Sequence, residues 1–187
     1  MKTGVVVKTF TARDGRNVVL RTPKWEDLDD FIEFINSLVE EGADIMNCEK
    51  VTRESEADWL GRRLAEIEKG NCFVLVAEVD GRVVANSSIT RQAGYSQHVG
   101  GLGIGVKNGF RDVGIGTEMM RTLISKGENM GLKMLTLWVF STNERAKHVY
   151  EKVGFRETGR ISNALYKDGR FADLIMMVKE LGQSSEI

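Results

Sequence analysis

An apolar, glycine-rich stretch from Val99 to Val106 leads into Gly109-Phe110-Arg111-Asp112-Val113-Gly114-Ile115-Gly116-Thr117. Beyond it, Ile115, Met119, Met120, Leu123 and Ile124 recur at helical spacing. Strand, glycine turn and helix start in this order constrain the fold more than any other part of the chain. The first N–H groups of a helix have no partner within it, and the helix dipole adds partial positive charge at that end. Gly114 and Gly116 carry no Cβ, so an anion can descend onto those amides. The segment is therefore predicted to cradle a phosphate-bearing ligand.

The rest of the chain supplies a sheet to carry this junction. Three Asp-Gly pairs, at 14–15, 80–81 and 168–169, are flanked by strand-like residues and read as tight hairpin turns. They are predicted to join 5–10 to 17–21, 72–79 to 82–91, and 161–166 to 171–179, with a strand at 155–160 before the last hairpin. Leu28, Phe31, Ile32, Ile35, Leu38 and Val39 keep helical spacing after Glu26-Asp27, and Gly42 ends that run. Ser55 with Asp58 reads as a capping box for a second helix carrying Trp59, Leu60, Leu64 and Ile67, closed by Gly70. A buried strand at 134–140 precedes a helix with Ala146, Val149, Tyr150 and Val153 on one face, stopped by Gly154. The predicted order is β-β-α-α-β-β-β-α-β-α-β-β, an α/β (α+β) arrangement in which helices cover one mixed sheet.

Composition narrows the functional classes. The chain has 187 residues, enough for one domain with a real core, expected over 1–181, with a frayed tail at 182–187. A net charge of −1 leaves no strong footprint for nucleic acid or a membrane surface, and neither is an expected partner. No apolar run reaches the ~18 residues of a spanning helix, and the N-terminus is not read as a signal peptide. Cys48 and Cys72 form no metal or redox motif. A reduced, cytoplasmic setting without disulfide or metal is expected.

Three phosphate-binding patterns can be compared with the glycine turn. A Walker loop needs Gly-Lys-Ser/Thr, and the chain has Gly116-Thr117-Glu118. A dinucleotide fingerprint needs a third glycine, and Met119 stands there; its glycines also follow the first strand of a βαβ series, whereas these follow several antiparallel strands. What is present is Arg111-x-x-Gly114-x-Gly116, followed about thirty residues later by Asn143-x-x-Ala146-x-x-x-Tyr150-x-x-x-Gly154-Phe155. With both half-motifs in order and on the expected elements, the chain resembles the GNAT superfamily of acetyl-CoA-dependent N-acetyltransferases, from Leu20-Arg21 to Asp173-Leu174-Ile175-Met176.

The resemblance implies a mixed, mostly antiparallel central sheet flanked by about four helices. It implies acetyl-CoA as cosubstrate, with its pyrophosphate on the backbone amides of Arg111, Asp112, Val113, Gly114, Ile115, Gly116 and Thr117. The strand at 102–106 would splay from 134–140 and offer Ile104, Gly105 and Val106 to the pantetheine arm. Asn143 would hydrogen-bond that arm from the other side, and Ala146 would face the same groove. Tyr150 would protonate the departing thiolate as general acid.

Acetyl transfer also needs a neutral amine and a polarised carbonyl. A backbone N–H near 104–106 can polarise the carbonyl. Relatives often carry a glutamate in the strand before the loop, and the chain reads His98-Val99-Gly100-Gly101-Leu102 instead. His98, Glu78 or an ordered-water relay are the alternatives for the base.

Each residue also has a plainer reading. Gly114 and Gly116 can shape a turn, Asn143 can cap its helix, and Tyr150 can be a core tyrosine. His148 reads as solvated, and Arg145, Lys147 and Lys152 read as a charged helix face from which one residue can meet a ribose phosphate. The acceptor side is expected from 41–55 and 91–98, carrying Glu40, Glu41, Asp44, Glu49, Arg53, Arg91, Tyr95 and His98, whose mixed charge names no substrate. The leading reading is transfer to a small amine or amino-acid-like acceptor by direct attack in a ternary complex. A protein N-terminus or lysine is the alternative acceptor, and a non-catalytic acyl-CoA sensor the alternative class. A homodimer is a further expectation, since 171–179 is placed near a sheet edge.

Overall fold

The computed structural model describes residues 3–182; of the tail predicted at 182–187, residues 183–187 lie outside the described residues. The elements are β1 (Val6–Thr11), β2 (Asn17–Arg21), α1 (Leu28–Glu40), α2 (Arg53–Lys69), β3 (Cys72–Val79), β4 (Arg82–Arg91), β5 (Val99–Val106), α3 (Ile115–Asn129), β6 (Met134–Phe140), α4 (Glu144–Lys152), β7 (Arg156–Lys167) and β8 (Arg170–Glu180). The strands form one sheet in the order β1-β2-β3-β4-β5-β6-β8-β7. Every neighbouring pair is antiparallel except β5 with β6. The predicted element order and mixed, mostly antiparallel sheet are what the chain forms.

Alternation along the strands sorts side chains onto two faces. Leu75, Ala77, Ile89, Leu135, Leu137 and Ile175 pack with Ile115, Met119, Met120 and Leu123 of α3 and with Tyr150 of α4. On the other face, Val76 and Val83 pack beneath Leu28, Phe31 and Leu60 of α1 and α2. Gly100 marks how tightly β5 is packed against the first core. A Cβ there would come within 2.7 Å of Leu132, 2.8 Å of Ile89 and 2.9 Å of Leu135.

Three local expectations change. The cap of α2 is Thr52, whose Oγ1 accepts from Ser55 N–H at 3.2 Å while Ser55 Oγ accepts from Thr52 N–H at 3.0 Å, so the helix starts a turn earlier than Ser55 with Asp58 implied. The strands predicted at 155–160 and 161–166 are one strand, β7, bulged between Ile161 and Leu165. Asn163 takes φ +54 in that bulge, and its N–H donates to Asp173 Oδ1 at 3.0 Å, so a side chain takes the place of a ladder bond. The strand containing 171–179 is flanked on both sides, by β6 and β7, so the edge belongs to β7 and not to β8. Among the described residues, no helix is long and apolar enough to cross a membrane.

Candidate active site

β5 and β6 share only a short ladder, Val99 with Met134, Gly100 with Leu135 and Gly101 with Thr136. Beyond Gly101 the two strands part, while β5 stays paired with β4 as far as Val106 and β6 with β8 as far as Phe140. A cleft of about 840 Å³ occupies this gap and runs from the start of α3 to the face of α4. Leu102, Ile104, Val106, Asn143, Ala146 and Tyr150 line it, which is the convergence the two half-motifs implied.

At one end lies the glycine turn. Gly114 caps α3 with φ +98°, a left-handed conformation that a side chain would strain, and no side chain caps this end. The first helical bond is donated by Glu118 N–H to Gly114 C=O at 3.0 Å, which leaves the amides of Ile115, Gly116 and Thr117 outside the helical ladder. Arg111, Asp112, Gly114, Gly116 and Thr117 line the cleft. Val113 and Ile115 do not line it: the Ile115 side chain is fully buried in the core, so only their backbone can serve a ligand.

The first hairpin braces this turn, a contact that no local pattern encodes. Arg13 N–H donates to Val113 C=O at 3.0 Å, Arg16 Nη2 donates to Gly109 C=O at 2.7 Å, and the Arg16 guanidinium lies 4.3 Å from the centre of the Phe110 ring. Arg13, Arg145 and Lys152 bring positive charge to the cleft. Arg111 folds back, with Nε donating to Val106 C=O at 2.7 Å and Nη2 pairing with Glu41. Arg145 pairs with Asp112 at 3.4 Å, and the first-turn amides of α3 fit a phosphate or pyrophosphate group.

At the other end stands α4. Asn143 Oδ1 accepts from Ala146 N–H at 3.1 Å, so Asn143 caps the helix and keeps its amide NH2 for a second partner. Tyr150 is 7% exposed and packs 6.3 Å from Phe155, ring centre to ring centre. Burial pushes its phenol up to about 12, so it holds its proton throughout the neutral range. His148, read as solvated, is exposed but sits on the cleft rim beside Lys152, while Lys147 pairs with Glu144 and is not part of the lining.

Neither base candidate lies in the cleft. His98 is exposed at the N-terminal end of β5, roughly 20 Å along the strand from Ile104 at ~3.3 Å per residue. Glu78 is committed elsewhere: its Oε2 accepts from Arg21 Nε at 2.7 Å, and the same guanidinium makes a bidentate pair with buried Asp27 at 2.7 and 2.8 Å. No residue of 91–98 lines the cleft; Arg91 donates to Gln97 C=O at 2.6 Å and Tyr95 is fully exposed. Of segment 41–55, only residues 41–46 reach the cleft.

The residues that complete that side are Trp138 and Phe140 of β6, Leu174 of β8, Thr142 and Leu38. Lys167 of β7 fastens the 41–46 segment above them. Its Nζ donates to Asp44 Oδ1 at 2.6 Å and to Gly42 C=O at 2.5 Å, and Thr142 Oγ1 donates to Asp44 Oδ2 at 3.0 Å. Trp138 is 50% exposed where the rest of β6 is buried or half-buried, an exposure that shows only once the neighbouring strand has parted.

Comparisons with known proteins identify the family. The L-amino acid N-acetyltransferase AaaT of Escherichia coli is 31% identical over 107 residues, covering 56% of this chain and 66% of AaaT. The L-amino acid N-acyltransferase MnaT of the same organism is 25% identical over 157 residues, covering 82% of this chain and 88% of MnaT. The crystal structure of a GNAT superfamily phosphinothricin acetyltransferase from Sinorhizobium meliloti in complex with acetyl-CoA superposes with a TM-score of 0.78 at 17% identity, over 91% of each chain. The sequence model described as the acetyltransferase (GNAT) family matches residues 36–155. With the split strands, the glycine turn and Tyr150 in one cleft, the chain belongs to the GNAT family of N-acetyltransferases.

Proposed function

We propose that this enzyme moves the acetyl group of acetyl-CoA to a primary amine of a small, amino-acid-like acceptor, by direct attack with both substrates bound. One observation carries the reading: the gap between β5 and β6 connects the free amides of α3 to the Tyr150 side chain. The pyrophosphate rests on the amides from Arg111 to Thr117. The pantetheine arm lies along Ile104, Gly105 and Val106, with Asn143 and Ala146 across from it. The names of AaaT and MnaT support an amino-acid-like acceptor.

The amine nitrogen bonds to the thioester carbonyl carbon and the carbon–sulfur bond breaks. Tyr150 gives its proton to the leaving sulfur, and solvent restores it. A β5 backbone N–H near 104–106 takes the charge that develops on the carbonyl oxygen. The amine's own proton passes to water, since His98 is remote and Glu78 is held by Arg21. No cysteine or serine lines the cleft among the described residues, which supports direct attack over an acyl-enzyme.

Free-thiol release from acetyl-CoA with a pooled amine panel tests the assignment. Turnover on an amine, sharply reduced in Tyr150→Phe, is the expected result. Acetyl-CoA binding with no turnover on any amine would leave only a sensor of acyl-CoA.

A further inference from the structure

The acceptor side of the cleft has its charges paired and its apolar surface open. Glu41 is held by Arg111, and Asp44 by Lys167 and Thr142. Both pairs are partly buried, with side-chain exposures of 22% and 23% for Glu41 and Arg111 and of 20% and 30% for Asp44 and Lys167. Each carboxylate on this side is already offset by a cation, which weakens its pull on a cationic acceptor, and two of the three Lys167 Nζ donors are engaged. Lys167 is also set over Phe140, 6.0 Å from its ring centre.

The surface between these pairs is apolar. Trp138, Phe140, Leu174 and Met176 share one face of the sheet, since Trp138 stands opposite Met176 and Phe140 opposite Leu174. Trp138 is half-exposed and lines the cleft with Leu174. Across the gap, β5 presents Gly103 to the same face. A Cβ at Gly103 would meet nothing within 4 Å, whereas one at neighbouring Gly105 would come within 3.2 Å of Phe34. Gly103 leaves open space on the sheet face that carries the half-exposed Trp138, and both line the cleft where the strands part.

Resting on the transferase reading above, we propose that Trp138 determines acceptor specificity, seating amines that carry an aromatic or other apolar body and leaving small polar amines and polyamines as poor substrates. Stacking on the indole and burial in the gap supply the selectivity.

The test compares kcat/KM for 2-phenylethylamine, ethanolamine and spermidine, and for L-phenylalanine against L-aspartate, in the wild type, Trp138→Ala and Trp138→Phe. The wild type is expected to favour the aromatic member of each series by about 10–100-fold. Trp138→Ala should erase that preference, and Trp138→Phe should keep most of it. Thermal stabilisation by acetyl-CoA should be the same in all three proteins, which shows that the variants are folded. The inference fails if spermidine, ethanolamine or L-aspartate matches the aromatic acceptor in the wild type. It fails equally if Trp138→Ala slows every acceptor alike. Absence of turnover on every amine, with acetyl-CoA stabilisation intact, would instead overturn the transferase reading on which it rests.

Discussion

On one side of the gap between β5 and β6, the ligand-facing groups are main-chain amides at the start of α3, set by Gly114 at φ +98. On the other, they are side chains from four separate segments: Glu41 and Asp44 after α1, Trp138 and Phe140 on β6, Lys167 on β7 and Leu174 on β8. A backbone site depends on local conformation, and a short stretch of sequence can specify it. A site assembled from distant side chains depends on which strands lie beside one another and which part. One half of the cleft can therefore stay constant while the other diverges, which suits a common donor and a changing acceptor.

The largest effect should fall where the two halves meet. Tyr150→Phe removes the general acid and should lower kcat by about 10²–10⁴-fold, while acetyl-CoA still raises the melting temperature. Because burial sets the phenol at about 12, the wild-type rate should show no loss of this acid below pH 10. The same shift has a stability consequence. The folded protein holds this proton above the pH at which the unfolded chain, near 10, releases it, so stability should decline as pH rises from about 10 through 12. Tyr150→Phe should remove that part of the decline, as read by denaturant titration.

A buried ion pair outside both halves gives the contrast. Asp27→Ala leaves Arg21 buried with its bidentate partner gone and should cost about 3–5 kcal/mol in urea unfolding. The acetyl-CoA KM of the folded fraction should stay at the wild-type value. A change in KM without loss of stability would move this cluster into the catalytic machinery.

Smaller effects should distinguish the halves themselves. Glu41→Gln frees the Arg111 guanidinium and removes a negative charge beside the phosphate turn, so the KM for acetyl-CoA should fall about 2–5-fold. His98→Ala should leave kcat/KM within about 2-fold of wild type. The pH profile should follow the acceptor amine and not an imidazole. A large loss in His98→Ala would require β5 to bend its exposed N-terminal end toward the cleft.

Much of the fold was legible because local chemistry sets it. The Asp-Gly turns at 80–81 and 168–169 take positive φ at both residues, as a tight hairpin needs, and Gly42, Gly70 and Gly154 end their helices in left-handed conformations. The bounds predicted for β5 and β6 match because both strands are apolar runs closed by polar or glycine turns. The cap of α2 was misplaced because Thr52-x-x-Ser55 satisfies the box with a hydroxyl in place of a carboxylate. β7 was divided because nothing local shows that Asp173, on the partner strand, will bridge its bulge. The donor half followed from the glycine turn together with Asn143 and Tyr150. The acceptor half did not, because alternation places Trp138 on a sheet face without revealing that β5 has parted from it. The pairs Glu41–Arg111 and Asp44–Lys167 span 70 and 123 residues, a separation no periodicity encodes. The mixed charge of 41–55 was visible, but its cancellation was not.

The main chain of the glycine turn, and not the Arg111 side chain, is expected to hold the donor. Calorimetric titration of acetyl-CoA into wild type, Arg111→Ala and Gly114→Val tests it directly. Valine at φ +98 strains the turn and moves its amides. Gly114→Val, still folded by circular dichroism, should bind at least about 100-fold more weakly, and Arg111→Ala should stay within about 5-fold of wild type. The reverse order, with affinity lost in Arg111→Ala and kept in Gly114→Val, would contradict the account.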